Sequence, residues 1–269
     1  MPSFDWYQAT LTDQQPEEVL AVLKEFFPRT DIKRGRLLYG YKEAFDLVRG
    51  DHRIVSLMWG LHSSPDPHIQ FTGSDAKEGA SLCRKLWPNH RVSRVDSAMD
   101  WYSTGAWDEL SSLALEIAQK HNIKVQHVGD FLRGENGRTL YIGSKSSPVF
   151  VCLYEKGKQP GMELLGEPHW VRLEVRVRPK SSAKAQCATI TPPEVFGCAL
   201  WTKELYQRLT GSSIARHQVG TQYEPTDDDR AFAALVKQYG PLVVRLCGAM
   251  GAEAFAKKLL DGVGWDCPF

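Results

Sequence analysis

Apolar and charged residues alternate strictly between positions 171 and 178. The charged residues take the even positions, which are Arg172, Glu174, Arg176 and Arg178. Because successive side chains of a β-strand point to opposite faces of its sheet, this alternation predicts a strand with one apolar and one charged face. A face that places a carboxylate among arginines suits a site for an anionic ligand.

A second strand with a polar face is predicted over residues 91–102. Arg94, Asp96 and Asp100 would share one face of this strand, and Val95 would lie on the other. The stretch therefore offers two further carboxylates and an arginine to one side of a sheet.

Two shorter strands are predicted at 139–142 and 149–154, on either side of a Gly-Ser-Lys-Ser-Ser turn. Tyr154 ends the second of them and shares a face with Cys152. If these strands neighbour the two longer ones, one side of the sheet carries a tyrosine, carboxylates and arginines. That inventory is compatible with DNA nicking, in which a tyrosine hydroxyl exchanges one phosphodiester bond for another.

Apolar residues recur at helical spacing in three stretches before residue 180 and in three stretches after residue 192. The predicted helices are 14–27, 75–87, 107–121, 194–210, 228–239 and 241–261. Gly240 is expected to end one helix and Pro241 to begin the next. Short strands, including one at 36–41, fill the remaining part. We therefore predict an α+β fold with a mostly antiparallel sheet, helices packed on one face, and a helical C-terminal region, divided into domains 1–180 and 181–269.

Composition narrows the class of protein only slightly. The 269 residues carry 33 basic and 32 acidic side chains, so a bound nucleic acid would have to be held by a local basic stripe. The six cysteines form no CxxC pair, which argues against a zinc ribbon and fits free thiols in a reducing cytoplasm. No internal repeat, signal peptide or membrane-spanning run is evident, and we expect a soluble protein of a bacterial cytoplasm.

Three motifs carry a resemblance to a known family. They are T-x-Y-x-G-S from residue 139, S-x-x-F-x-x-x-Y-E-K-G from residue 147, and W-V-R-x-E-V from residue 170. Together they resemble the Rep_trans replication initiation factors, the rolling-circle initiators and relaxases of small plasmids, filamentous phages and conjugative elements. The resemblance implies an origin-binding enzyme that nicks one DNA strand and stays joined to its 5′ end.

By this resemblance, Tyr154 is the nucleophile that becomes a 5′-phosphotyrosine, and Lys156 of the same motif assists it at the phosphate. Tyr141 in the neighbouring T-x-Y strand is the alternative nucleophile. The competing interpretation of Tyr154 is a sheet tyrosine packed on Phe150. The competing interpretation of Lys156 is an ordinary turn lysine. One departure stands out, because the family often has an arginine two residues before the tyrosine, where this chain has Cys152.

The resemblance also implies a divalent metal held by carboxylates. Asp96, in an R-x-D-x-A-x-D pattern, and Glu174 are the predicted ligands, and such oxygen ligands favour Mg²⁺ or Mn²⁺ over zinc. Asp100 and Asp5 are weaker candidates, and His169 is a candidate ligand or base. The alternative for Asp96 and Glu174 is ion pairing with the neighbouring arginines, and the alternative for Asp5 is a solubilising residue of an edge strand.

The predicted DNA contacts follow the same strands and turns. They are Arg172, Arg176, Arg178, Lys158, Ser144 and Lys145. Contacts of this kind hold the phosphate backbone without reading its sequence. The aromatic residues Trp6, Tyr7, Trp101 and Tyr102 are candidates for stacking on bases, against a role in packing.

Two functions remain open at this point. The first is a metal-dependent rolling-circle nicking enzyme, and the second is a non-catalytic origin-binding or single-strand-binding protein on the same scaffold, which Cys152 would favour. Because no Walker motif is present, strand separation would need a host helicase as partner. The sequence leaves three roles open for residues 181–269: reading DNA, binding that helicase, or forming a homodimer.

Overall fold

Alternating apolar residues build one large sheet. A computed structural model describes residues 1–62, 64–133, 136–220, 227–262 and 264. Its strands are β1 (Ser3–Thr10), β2 (Asp31–Arg34), β3 (Glu43–Arg49), β4 (His52–Trp59), β5 (His68–Thr72), β6 (Arg91–Trp101), β7 (Val125–Gly129), β8 (Arg138–Ile142), β9 (Val149–Glu155) and β10 (Val171–Val177). Among these described strands every pairing is antiparallel, and their order across the sheet is β2-β3-β4-β5-β1-β6-β10-β9-β8-β7.

Helices cover one face of this sheet. They are α1 (Pro16–Phe26), α2 (Asp75–Leu86), α3 (Ala106–Lys120), α4 (Ala183–Gln186), α5 (Pro192–Val195) and α6 (Leu200–Thr210), with short 3₁₀ turns at Lys156–Lys158, Glu163–Leu165, Cys187–Thr189 and Phe196–Cys198. Leu23 of α1, Leu82 of α2 and Ile117 of α3 join one buried core with alternate strand residues such as Leu153 and Leu173. The other face of the sheet is left for polar side chains, which we call the open face. The predicted α+β fold class is confirmed.

The sheet consists of two halves with the same topology. In the first half the chain runs through β1 and α1 to the edge strand β2 and returns through β3 and β4 to β5, beside β1. In the second half β6, α3 and β7 to β10 repeat this path, and the halves meet where β1 pairs with β6. The repeat lies in the strand order and was not visible in the sequence.

The segment after β2 differs from the prediction of a strand at 36–41. Tyr39 and Gly40 both have positive φ angles, 56° and 84°, so the chain turns here and cannot continue as an extended strand. The strand forms earlier, as β2. The turn instead carries the rings of Tyr39 and Tyr41 to His68 on the open face, at centroid distances of 6.3 and 5.4 Å.

The first compact unit ends later than the predicted boundary at residue 180. It spans Met1–Gln222, because Ile190, Phe196 and Trp201 are buried in the same core as the sheet. Whether residues 1–180 act as a functional domain on their own stays a prediction.

Five cysteines have free thiols, and Cys267 lies outside the described residues.

The second unit, Tyr223–Phe269, contains the helices α7 (Asp227–Met250) and α8 (Ala252–Gly262). The prediction that Gly240 and Pro241 separate two helices was wrong, because α7 continues through Pro241. The break comes at Gly251, whose φ of 84° ends the helix in the left-handed region. Within the described part of the chain, none of the helices combines the length and the apolar character needed to cross a membrane.

Candidate functional site

Three neighbouring strands bring the main predicted site residues onto the open face. Strand β10 lies between β9 and β6, with Arg172 opposite both Tyr154 and Asp100. Glu174 is the next residue of this face along β10, and Asp96 lies opposite Arg176. The strand adjacency that the resemblance implied is therefore observed.

Tyr154 and Glu174 form the centre of this group. The Tyr154 hydroxyl donates a hydrogen bond of 2.6 Å to Oε1 of Glu174. Burial, followed by the Glu174 carboxylate, raises the pKa of Tyr154. Burial also raises the pKa of Glu174, and the negative charges of Asp5 and Asp96 add to this effect against the hydrogen bond from Tyr154. The pair thus joins a poor acid to an unusually basic carboxylate.

Arg172 is clamped between two acidic residues. Its Nε and Nη2 bind Asp100 in a bidentate pair at 2.7 and 2.8 Å, and its Nη1 binds Asp5 at 2.7 Å. Asp100 also accepts a hydrogen bond from the indole of Trp170. These contacts tie β10 to β6 and β1, and they fix the guanidinium beside Tyr154.

Asp96 is almost fully buried and is held by two arginines. Arg94 forms a close ion pair with it, and Nε of Arg176 lies 3.2 Å from its Oδ2. The guanidinium of Arg94 also stacks over the ring of Trp6 at 3.8 Å. In this arrangement of side chains Asp96 is therefore ion-paired with arginines, which was the alternative to metal ligation.

The carboxylates of the open face are chemically suited to a hard divalent cation. Asp5, Asp96 and Glu174 offer carboxylate oxygens, and the charges of Asp5 and Asp96 are close enough to raise the pKa of Glu174. Within the described ranges, however, no group of three or more His, Cys, Asp and Glu residues is arranged to hold a metal. The arginines around Asp96 would have to release it before it could ligate.

Lys156 and Lys158 contact different partners although they are only two residues apart. The ammonium group of Lys156 lies 4.7 Å from the ring centroid of Trp170, and burial, followed by the charge of Arg172, lowers its pKa. Lys158 instead forms an ion pair of 3.0 Å with Glu155, a residue that sits opposite Val171 on the helix-covered face. His169 lines a small pocket with these two residues on that same side.

The remaining predicted DNA contacts gather at the far end of β9 and β10. Nη1 of Arg178 donates to the carbonyl of Lys145 at 3.1 Å, and Ser144 is exposed in the same turn. The ammonium of Lys145 lies 4.6 Å from the ring of Tyr141. Burial and the charges of neighbouring arginines lower the pKa of Arg178, which marks a crowded cationic cluster. Such a cluster attracts phosphate.

Cys152 and Tyr141 lie opposite each other on the open face. Burial, with a smaller contribution from the Glu174 charge, raises the pKa of the Cys152 thiol to about 12, so the thiol stays neutral near pH 7. Tyr141 stacks on Phe150 at 5.6 Å and is one strand further from Glu174 than Tyr154 is.

The aromatic candidates have different environments. Tyr7 is fully buried and its hydroxyl pairs with His90, so it packs in the core and does not stack on bases. Trp6 lies under Arg94, and Tyr102 is exposed beside Trp170.

The contact of Asp5 with Arg172 was the main feature not foreseen, because β1 and β10 are far apart in sequence.

Comparisons with known proteins bear on the fold and the family of this chain. The family model of the Rep_trans replication initiation factors matches residues 90–208, a little under half of the chain. No curated protein sequence matches. A solved structure of a rolling circle replication initiator protein from Geobacillus stearothermophilus is similar at a TM-score of 0.51 and 20% identity, covering 85% of this chain and 90% of that chain. At this identity the likeness shows the fold alone.

Proposed function

We propose that this replication initiator nicks one DNA strand through Tyr154. The premise is that residues 90–208 belong to the Rep_trans family of replication initiation factors. The observation that carries the proposal is the 2.6 Å hydrogen bond from the Tyr154 hydroxyl to Glu174, set among arginines on an open sheet face. Any buried tyrosine hydroxyl needs a hydrogen-bond partner, as Tyr7 shows with His90, but the partner of Tyr154 is a carboxylate that can also accept its proton.

In the proposed step the Tyr154 oxygen attacks the scissile phosphorus and its proton passes to Glu174. The new bond joins the tyrosine oxygen to phosphorus, the bond from phosphorus to O3′ breaks, and the 3′ oxygen leaves as a hydroxyl after it takes up a proton. Because one phosphodiester replaces another, the step is reversible and reseals the strand.

The cationic side chains supply the electrostatic part of the reaction. Arg172 lies beside Tyr154. The partly buried Lys156 interacts electrostatically with the carboxylates of Asp5, Asp100 and Glu174. Fixed donors of this kind stabilise the charge that develops on a phosphate. Arg176, Arg178, Lys145 and Ser144 would hold the flanking backbone, and Lys158 would contact DNA from the other face.

We propose Glu174 and Asp96 as ligands of Mg²⁺ or Mn²⁺, with Asp5 close to them. Such a cation, when bound, polarises the scissile phosphate. Ligation by Asp96 requires its ion pairs with Arg94 and Arg176 to open. Approach of a phosphate would favour this, because it offers the arginines another anion to bind.

The proposed partners beyond origin DNA are a host helicase and a second copy of the chain. The source element, whether phage, plasmid or conjugative element, is not distinguished by this chemistry. A non-catalytic DNA-binding protein on the same scaffold is the second candidate, supported by Cys152 in place of an arginine and by the ion-paired state of Asp96.

Covalent trapping separates the two candidates. Single-stranded oligonucleotides tiled across the origin of the protein's own element are incubated with Mn²⁺ and the full chain, then denatured. We expect a metal-dependent adduct that Tyr154→Phe abolishes and Tyr141→Phe retains. An adduct lost only in Tyr141→Phe would move the nucleophile to Tyr141, and tight binding without any adduct would favour the non-catalytic protein.

A further inference from the structure

The repeated topology gives the tyrosine site a counterpart in the first half of the sheet. Pro16 and Ala106 each begin the helix that follows the central strand of their half. Aligning these residues matches Thr10 with Asp100, and the strand registers then match His68 with Arg172. The same registers match Met58 with Tyr154 and Gln70 with Glu174.

The counterpart keeps a polar open face but has lost the reactive groups. Met58 replaces the nucleophile, Gln70 replaces the carboxylate that accepts its proton, and Thr10 replaces an aspartate. All three replacements are neutral, and of them Thr10 lies 3.3 Å from Nδ1 of His68. This half is therefore equipped for binding without chemistry.

A pocket of about 400 Å³ opens at the counterpart position. Its volume lies within the range of about 300–1,000 Å³ that is typical of small-ligand sites. The rings of Tyr39 and Tyr41 and the buried His68 form its walls, with Gln8 and Thr10 beside them. Aromatic walls with a few polar groups offer stacking surfaces and directional hydrogen bonds together.

The hydrogen bonds below the walls set the polarity of the pocket. The Gln8 amide nitrogen lies 2.7 Å from Nε2 of His68, and Nδ1 of His68 lies 3.3 Å from the Thr10 hydroxyl. Burial, with a smaller effect of Lys184, lowers the pKa of His68 to about 4, so the ring is neutral near pH 7. With Gln8 as donor, Nδ1 carries the proton and the Thr10 oxygen accepts it, which leaves the Thr10 O–H free to donate to a ligand.

The rim of the pocket carries charge of mainly one sign. Arg91 and Lys184 line it, and Asp66 lies at the rim as the single carboxylate among its described lining residues. Burial and the charges of Arg91 and Lys180 lower the pKa of Lys184, as expected where cations crowd together. A phosphate at this rim would relieve the crowding.

We propose that this pocket binds one unpaired base of single-stranded DNA, stacked on Tyr41, with its carbonyl oxygen toward Thr10 and its phosphate at Arg91 and Lys184. The choice of DNA as ligand rests on the proposed function. In this half Met58 stands at the position equivalent to Tyr154, so the base contact concerns recognition and not cleavage.

The test uses the full chain and fluorescein-labelled 25-nucleotide single strands from the element's origin. Tyr41→Ala is expected to weaken binding about tenfold by anisotropy, the size of one lost stack, whereas Tyr41→Phe keeps wild-type affinity. Phe26→Ala, an exposed ring on the helix-covered side, is the matched control and leaves affinity unchanged. Thr10→Val provides a second, nearly isosteric variant and is expected to weaken binding severalfold, which serves if Tyr41→Ala does not fold.

Photochemical cross-linking locates the contact. Strands with a single 5-iodo-2′-deoxyuridine are irradiated with the protein, and we expect attachment at Tyr41 or Tyr39 from one position of the strand. Wild-type affinity in both Tyr41→Ala and Thr10→Val, with cross-links elsewhere, would overturn the proposal. So would full displacement of the strand by free dTMP, which would make the ligand a free nucleotide. If no covalent adduct forms through Tyr154 but the Tyr41 dependence holds, the nicking function fails and the base pocket stands.

Discussion

At the scale of single residues, the Tyr154–Glu174 pair determines how the proposed reaction responds to pH. Only ionised Glu174 can accept the tyrosine proton, and burial with the charges of Asp5 and Asp96 raises its pKa. The rate of adduct formation should therefore rise with pH as Glu174 ionises, and a cation bound to Glu174 would move this rise to lower pH because it favours the ionised carboxylate. Initial rates of adduct formation between pH 5 and 9 measure this profile, and a flat profile would contradict a role of Glu174 as base.

Glu174→Gln keeps the shape of the side chain and removes the base. We expect adduct formation to fall by about 10²- to 10⁴-fold, the usual contribution of a general base. The raised pKa also means that folding disfavours the charged carboxylate, a penalty that grows as pH rises through the folded pKa. Urea unfolding at pH 8 should consequently find this variant no less stable than the wild type, so a large loss of stability would point to a structural role.

The Arg172 clamp leads to a prediction about stability. Arg172→Ala leaves Asp100 and Asp5 without their shared partner in a mostly buried position. We expect a loss of about 3 kcal/mol in the free energy of unfolding, as for other broken buried pairs. Urea denaturation measures it. Arg53→Ala, an exposed arginine of β4, is the control and should change stability by less than about 0.5 kcal/mol.

At the scale of elements, the chain between β9 and β10 depends on one close backbone approach. A Cβ added to Gly157 would overlap the carbonyl oxygen of Glu167, which belongs to the returning chain. Gly157→Ala should force that chain away at a cost of about 1–3 kcal/mol. Gly161→Ala has open space around its Cβ, so it tests the local backbone cost alone. Comparison of the two melting curves checks the prediction, and equal losses in both variants would contradict it.

The periodicity of strands and helices was readable from sequence wherever packing follows one pattern. The alternation from Val171 to Arg178 and the apolar stripe of α3 were both found as predicted. The failures occurred where backbone geometry or long-range contact decides. Tyr39 adopts a positive φ, which a tyrosine in the sequence does not predict. Pro241 is accommodated within α7. The site was predictable as a set of polar faces, but the Asp5–Arg172 contact needs strand order, which a single sequence does not contain.

At the scale of the whole molecule, the core predicts where the chain can be shortened. Residues 181–222 contribute Phe196 and Trp201 to the core of the sheet. A fragment ending at Gln222 should unfold cooperatively with a melting temperature near that of the full chain, whereas a fragment ending at Lys180 should lose the cooperative transition. Circular dichroism melts of both fragments test this, and cooperative unfolding of residues 1–180 would instead support the boundary predicted from sequence.

The strand registers also give the distance between Tyr154 and its counterpart pocket at His68. From Asp100 to Arg91 along β6 is nine residues, roughly 30 Å, and the four strand steps from β9 to β5 add roughly 19 Å across the sheet. Tyr154 and His68 are thus separated by roughly 35 Å, or roughly ten nucleotides of stacked strand at 3.4 Å each. If both proposed sites hold one strand, the recognised base lies roughly ten nucleotides from the scissile bond, and moving that base along the origin should move the nick by the same number of nucleotides.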